Sequence, residues 1–376
     1  MVQWNSNFDR EDFLRNYWQK KPLLIKNGLI DFESPLDANE LAGLALEDDI
    51  ESRIIEYRDG LWGFFDGPFD ESAFVRENPW TLLVQAADHF IPGVAQLRKL
   101  VNFIPAWRVD DVMVSYAIDG GSVGPHYDNY DVFLLQGAGE RVWKLGQECD
   151  EKSPLIRHDS LRILSQFDED YQYTLSAGDI LYVPPGVAHW GIAKGECMTY
   201  SIGFRAPGIS ELLSRSVDAA LENLDSDGFY EDPEMPQTLR AGEISPEAIQ
   251  AAREQLMATL VAQTDDTWFG ELVTEPKYDI DIPEACSNAL SLATWGAVNA
   301  IVLLPEAKLA WQEKNDNIIV YANGEALRHH RVVLPMLLAL CENWRLEDVL
   351  LEQAINTAQC TLFLEQLREC GCVELE

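Results

Sequence analysis

The chain has 376 residues, 47% hydrophobic and 24% charged, and its 28 basic against 63 acidic side chains give a formal charge of −35. That length exceeds one ordinary core and predicts two or three domains of globular composition. The acidic balance argues against nucleic acid as a partner; it suits a basic protein partner or a surface solvated for a salty or cold habitat. No stretch approaches the roughly 20 apolar residues of a membrane span. The first residues, Met1-Val2-Gln3-Trp4-Asn5, lack the basic-then-apolar pattern of a signal peptide. Seven scattered cysteines show no disulfide spacing, and a reducing cytoplasm is expected.

In chain order, Asp9 precedes a predicted helix through Tyr17, and Pro22-Leu23-Leu24-Ile25 reads as a short buried strand. Asp37-x-x-Glu40 is a capping-box pattern ahead of Leu41, Leu44 and Ala45. Ile50 to Tyr57 and Leu61 to Phe65 flank Arg58-Asp59-Gly60, a hairpin signal. Pro79 through His89 is predicted helical with Leu82, Leu83 and Ala86 on one side, and His89, without partner spacing, reads as structural.

From Asp111 to Phe204 strands dominate. They are expected at Val112 to Ile118, Asp131 to Gly137, Arg141 to Gly146, Tyr171 to Leu175, Ile180 to Val183 and Met198 to Phe204, with Gly137-Ala138-Gly139 as a turn. Short strands punctuated this densely by glycine and proline indicate a barrel or sandwich.

Inside this region lies the stretch that carries chemistry. Gly124-Pro125-His126-Tyr127-Asp128 opens it, and Gly178-Asp179-Ile180-Leu181-Tyr182-Val183-Pro184-Pro185-Gly186-Val187-Ala188-His189 closes it. In extended chain, residues two apart share a face, so His126 and Asp128 reach one ion while Tyr127 turns away. His189, just past a Pro-Pro-Gly turn, supplies a third ligand from a neighbouring strand. Two imidazoles and one carboxylate form the facial triad of non-haem Fe(II) sites, which leaves one side of the metal open. The glycine, proline and histidine spacing of the closing half is that of a double-stranded β-helix, or cupin. Arg141, flanked by Val142, Trp143 and Leu145, lies on a partly buried strand where its guanidinium can grip the far carboxylate of 2-oxoglutarate. Ser201 is a second candidate for that ligand.

Beyond Pro207 the pattern turns helical. Ser210 is expected to cap a helix carrying Leu212, Leu213, Val217, Ala220, Leu221 and Leu224, and an acidic loop from Asp225 to Glu234 follows, with Pro233 and then Pro236. Ser245-Pro246-Glu247 starts a second helix with Ile249, Leu256, Leu260 and Val261 as its stripe. Two apolar stripes outside the barrel predict a dimer interface. From Trp268 a small mixed segment carries strands at Leu309 to Trp311 and Ile318 to Tyr321, an Asn323-Gly324 turn, and helices near 334–341, 346–354 and 361–368, with a last strand at Val373 to Leu375. This is a winged-helix-like pattern whose helices carry acids rather than a basic recognition face, so nucleic-acid binding is not expected. His329-His330 reads as exposed surface, and Cys370-Gly371-Cys372 lacks the second pair that would close a zinc site.

His126-Tyr127-Asp128-Asn129-Tyr130-Asp131-Val132-Phe133 with Arg141, and Gly178 to Gly186 with His189, resemble the Jumonji-C oxygenases. Within them the chain is most similar to the bacterial ribosomal oxygenases: Tyr17-Trp18-Gln19-Lys20-Lys21-Pro22-Leu23 resembles that group's N-terminal signature, and Tyr200-Ser201-Ile202-Gly203-Phe204-Arg205-Ala206-Pro207 its barrel exit. The similarity spans most of residues 10–210. It implies Fe(II) on His126, Asp128 and His189, and 2-oxoglutarate on Arg141, where many relatives use lysine. It implies a homodimer formed through the helical segment, and a substrate entering near Met113, Ser115 and Tyr116. The implied reaction hydroxylates an arginine of a large-subunit ribosomal protein while 2-oxoglutarate becomes succinate and CO2.

The expected architecture is therefore an α+β multidomain chain: a cupin or JmjC jelly-roll catalytic domain over 1–208 with its barrel from about 100, a helical dimerisation segment over 209–266, and a winged-helix-like domain over 267–376. Two other readings stay open: a small-molecule cupin dioxygenase or isomerase without 2-oxoglutarate, and a non-catalytic cupin regulator whose winged helix binds nucleic acid. Asp128 and Arg141 weigh against the first, and the intact triad and the acidic charge against the second.

Overall fold

A computed structural model of the chain describes residues 3–224, 228–233, 240–265, 267–278 and 298–376. Parts of the predicted acidic loop, Asp225 to Asp227 and Glu234, together with Pro236, lie outside the described residues. Contacts divide the chain into two units, Met1–Ala206 and Pro207–Glu376.

The first unit runs β1 (Gln3–Trp4), α1 (Arg10–Asn16), β2 (Leu23–Ile25), β3 (Leu29–Ile30), α2 (Ala38–Leu44), β4 (Ser52–Arg58), β5 (Leu61–Asp66), β6 (Trp80–Val84), α3 (Ala87–Phe90), α4 (Pro92–Ala95), β7 (Val109–Ala117), β8 (Val132–Glu148), β9 (Glu169–Ser176), β10 (Ile180–Val183) and β11 (Val187–Phe204). Nine strands form one sheet in the order β2-β10-β8-β11-β7-β6-β4-β5, with β9 pairing β8 along the same edge as β10, away from β11. Two very long antiparallel strands organise it. Val132 to Leu135 of β8 pairs with β10, whereas Glu140 to Gly146 pairs with β9. β11 follows β8 along its whole length. Each long strand thereby serves both walls, the arrangement of a double-stranded β-helix.

The bend in β8 falls at Gly137-Ala138-Gly139, which the sequence suggests is a turn. The strand instead continues, and two register shifts against β11 between Lys194 and Thr199 absorb the extra residues. Gly139 makes this possible: its φ is +63°, and a Cβ there would stand 2.0 Å from the Glu196 carbonyl. The consequence is a switch of parity. Before the bulge Leu134 and Gln136 share the inner face; after it Arg141, Trp143 and Leu145 do.

The predicted helix over Pro79 to His89 is a strand followed by a helical turn, β6 then α3. Every residue of β6 is buried. A strand covered on both faces shows no polar alternation, so its apolar run imitates a helix face. The α1 helix, the β2 strand, the α2 capping box and the β4–β5 hairpin fall where the sequence places them. Helix α1 inserts Phe13, which is fully buried, into an aromatic cluster on the outer face of the sheet. Its ring centroid lies 4.8 Å from Tyr182 and 5.3 Å from Phe133.

The second unit contains α5 (Ile209–Glu222), α6 (Pro246–Gln263), α7 (Trp268–Thr274), β12 (Ala300–Leu303), β13 (Leu309–Lys314), β14 (Asn317–Ala322), β15 (Glu325–His330), α8 (Leu334–Asn343), β16 (Arg345–Glu347), α9 (Asp348–Ile355), α10 (Ala358–Glu369) and β17 (Val373–Leu375). Ser245 caps α6 through its hydroxyl as expected. Helix α5, however, is capped two residues earlier, at Gly208, whose N–H donates to the Glu211 carboxylate at 3.3 Å; Ser210 is already helical. The meander β13-β14-β15 and the sheet β16-β12-β17 pack with α8, α9 and α10 around Ile301, Val320, Leu337, Phe363 and Leu367. His329 is not surface as predicted: it is buried, with its ring 5.1 Å from Phe363, and only His330 is exposed. A third strand of the meander supplies the reason, because pairing of Ile318 with His329 turns that side chain onto α10.

Candidate metal and co-substrate site

His126 and His189 face each other across an isolated antiparallel bridge. Each backbone N–H donates to the other's carbonyl, at 3.0 and 2.8 Å. The rings stand 4.2 Å apart by centroid, and His189 Nε2 lies 3.6 Å from Asp128 Oδ2. One ligand atom from each of His126, Asp128 and His189 falls within 4.8 Å of the others, and among the described residues no other group of three potential ligands does so.

The donor set suits a divalent cation. Each Nδ1 sits 3.0 Å from a backbone carbonyl, that of Gly124 for His126 and that of Val187 for His189. An Nδ1–H donated there leaves Nε2 with a free lone pair facing the carboxylate. Burial, reinforced by His126, pushes His189 down to about 4, so its ring stays neutral and able to ligate at physiological pH. The Pro-Pro-Gly turn ahead of His189 is tied to the Asp128 segment: Gly186, with φ at +78°, donates its N–H to the Asp128 carbonyl at 2.8 Å. Tyr127 points elsewhere and donates its hydroxyl to the Asp150 carbonyl.

Arg141 is buried on the inner face, with its guanidinium carbon 5.8 Å from the centre of the Trp143 ring. Its Nη1 donates to Ser115 Oγ at 3.3 Å, while Nε and Nη2 have no protein acceptor. A buried cation with two unsatisfied donors is costly unless an anion meets it. A planar carboxylate satisfies that fork.

Two family models match this chain: one described as a JmjC domain over residues 96–212, and one described as a ROXA-like winged helix over residues 255–364. The ribosomal protein uL16 3-hydroxylase of Escherichia coli strain K12 is 36% identical over 353 residues, covering 91% of this chain and 91% of its own. The chain belongs to the JmjC-domain ribosomal oxygenases. A probable ribosomal oxygenase of Haemophilus influenzae is 33% identical over 86% of the chain and 83% of its own length. The solved structure of Escherichia coli YcfD superposes with a TM-score of 0.85 at 34% identity over all of both chains. A YcfD structure holding cobalt and 2-oxoglutarate gives 0.85 at 33% identity, again over the whole of each.

On this oxygenase's inner face, the other sequence candidates separate. Met113 and Ser115 lie on β7 opposite Ser201 and Thr199 of β11, so all four share the surface that carries Arg141. Ser201 is buried beside Met113. Tyr116 has the opposite parity and packs against Trp80 in the outer core, 5.7 Å between centroids, away from the triad.

Sequence reasoning overlooks Asp111. It is buried on the same face of β7 as Met113, and its carboxylate accepts from the Gln85 amide at 2.9 and 3.0 Å. Burial pushes the Tyr130 phenol up, the charges of Asp128 and then Asp111 push the same way, and Arg53 opposes them, so Tyr130 feels both carboxylates. Arg53 of β4 reaches the same region, with Nη2 at 3.8 Å from Met113 Sδ. An aspartate at the start of an apolar strand carries no motif; only the parity shared with Met113 and Ser115 marks it.

Proposed function

We propose that this oxygenase uses Fe(II) and 2-oxoglutarate to hydroxylate an arginine side chain of a large-subunit ribosomal protein of the uL16 type. The observation that carries the reading is the opposition of the His126, Asp128 and His189 donor set to a buried guanidinium with two unused donors. His126, Asp128 and His189 would hold the iron, which when bound supplies the activation of dioxygen and the oxidative decarboxylation of 2-oxoglutarate. Arg141 receives the far carboxylate, with Ser115 holding the guanidinium in place and Ser201 on the adjoining strand as a further hydroxyl. Trp143, Leu134, Leu145 and Leu181 form the apolar floor that keeps water from the reacting atoms.

Asp111 supports the arginine assignment. A buried carboxylate on the face of Met113 and Ser115, whose charge acts with that of Asp128 on Tyr130, receives a cationic side chain better than a neutral one. The −35 charge of the whole chain favours encounter with a basic ribosomal protein. No helix among the described residues is long and apolar enough to cross a membrane, and ribosomal proteins are met in the cytoplasm, where we place the enzyme.

The division into a catalytic domain, a helical segment and a winged helix assigns the remaining parts. Ile209, Leu213, Val217 and Leu221 form an exposed stripe on α5, and Leu256, Met257 and Val261 expose apolar side chains on α6. These faces suit a homodimer. The deciding experiment incubates the protein with Fe(II), 2-oxoglutarate and purified uL16. Succinate release together with the mass gain of one oxygen atom on an arginine-containing peptide is expected. Succinate release with no oxidised arginine would remove the arginine assignment, and no succinate at all would remove the co-substrate.

A further inference from the structure

Strand β5 ends the main sheet: it pairs with β4 along one edge, and among the described residues no strand lies beyond it. Such an edge offers unpaired main-chain donors and acceptors, a template that proteins ordinarily blunt or cover. The strand itself carries no lysine, arginine or proline, although the Arg76 guanidinium lies 4.4 Å from the centre of the Phe65 ring. Leu61 is 73% exposed and Phe65 43%, and Val75, on the following segment, is 86% exposed.

The hairpin that carries this edge is strongly acidic. Between Glu47 and Glu77 there are ten acidic against three basic side chains, and Asp59, Asp66, Asp70, Glu71 and Glu77 are all exposed. Two copies of this surface would repel each other, so a second copy of the chain is a poor occupant. An extended basic segment is a good one: its main chain extends the sheet, and its side chains meet carboxylates.

The hairpin also adjoins the mouth. Trp62 and Ile163 both close on Gly124, where a Cβ would meet Ile163 at 3.0 Å and Trp62 at 3.1 Å; Gly124 is the residue whose carbonyl orients His126. From β4, Arg53 touches Met113 on the inner face. A chain laid along β5 therefore runs beside the metal site.

We propose that the free edge of β5 receives an extended basic segment of the protein substrate as an added strand, which delivers the neighbouring residue to the mouth. This rests on the reading of the chain as a ribosomal-protein hydroxylase. It names the docking strip, which the metal and co-substrate residues do not.

Hydrogen exchange on the full-length, Co(II)-loaded protein with and without purified uL16 tests it. The backbone amides of Leu61 to Asp66 should exchange about fivefold or more slowly in the complex, the factor that one net backbone hydrogen bond supplies. The variant Leu61→Ser/Asp66→Lys should raise the KM for uL16 well above the effect of Glu352→Lys, an exposed charge reversal on α9, with melting temperature as the control for folding. If uL16 is hydroxylated but β5 exchange is unchanged, the docking strip is elsewhere and the functional reading survives. If β5 becomes protected with rising protein concentration and no uL16, its occupant is a second copy and the proposal is overturned. If wild type neither binds nor oxidises uL16, the functional reading falls and this inference falls with it.

Discussion

His126 and His189 are joined twice over: by the paired backbone hydrogen bonds of their bridge, and by Ser122. The Ser122 hydroxyl oxygen accepts from the Gly124 N–H at 3.0 Å and from Trp190 Nε1–H at 2.9 Å. Gly124 orients His126 through its carbonyl, and Trp190 follows His189 in the chain. One buried hydroxyl thus ties together the two segments that carry the imidazoles. Ser122→Ala should weaken Co(II) binding by about 10- to 100-fold, the usual range for loss of an outer partner of a metal ligand. Titration followed by visible absorbance reads this directly, and Ser122→Thr, which keeps the acceptor, should recover much of it. Equal affinity in Ser122→Ala would mean that the bridge alone positions the rings.

Arg141→Met should separate co-substrate from metal. Removing a charge-assisted fork costs about 3 kcal/mol, roughly two orders of magnitude in Kd for 2-oxoglutarate. Co(II) affinity should stay within a few-fold, because Arg141 donates to Ser115 and to none of the three ligands. Arg141→Lys, keeping charge without the planar fork, should fall between. Calorimetric titration of both ligands checks all three statements.

Much of this site is legible in the sequence because its rules are local. The i, i+2 parity of His126 and Asp128 and the Pro-Pro-Gly turn before His189 follow from extended geometry and turn chemistry. What is not legible depends on neighbours. Gly137-Ala138-Gly139 looks like a turn, and only the register of β11 shows that it is a bulge that flips the parity of Arg141. Asp111 shares the face of Met113 and Ser115 because β7 pairs with β11 in a fixed register, which no short motif encodes. β6 imitates a helix because both of its faces are covered.

Tyr182 and Asp131 make a buried pair beneath the N-terminal signature. The phenol donates to Asp131 at 2.5 Å and accepts the Gln19 N–H at 2.7 Å, while the Gln19 side chain and Arg108 also donate to Asp131. Burial pushes Asp131 above the usual carboxylate range, and the phenol's hydrogen bond pulls it down. Tyr182→Phe leaves the Gln19 N–H without its acceptor and Asp131 with one donor fewer, a cost of about 1–3 kcal/mol. A carboxyl raised in the folded state binds more protons folded than unfolded, so stability falls as pH rises through the unfolded value toward the folded one. The variant should therefore lose more at neutral than at acidic pH, in urea unfolding followed by Trp fluorescence.

The exposed stripe of α5 gives a test of assembly. Leu213→Glu with Leu221→Glu places two charges on the face proposed for the homodimer, where unpaired burial is costly. Sedimentation should then report monomers where wild type gives dimers, with far-ultraviolet circular dichroism unchanged. A wild type that sediments as a monomer would discard the interface.

Asp111→Asn asks what kind of side chain the mouth takes. Asparagine preserves the shape and a carbonyl for the Gln85 amide, so the fold and the triad should be untouched. If Asp111 pairs with a guanidinium, the substitution strands a cation in a dry site, and removing one partner of a buried pair costs about 3–5 kcal/mol. The expected result is a fall in kcat/KM for uL16 of about two to four orders of magnitude, with Kd for Co(II) and 2-oxoglutarate held constant. Arg53 supplies the internal control. Its Nη2 lies 3.8 Å from Met113 Sδ on the same surface, and as a cation it should repel an arginine substrate. Arg53→Gln is therefore expected to leave uL16 turnover equal or improved, the opposite sign to Asp111→Asn. Equal losses in both variants would mean that the mouth is being disrupted rather than discharged, and the arginine assignment would lose its structural support.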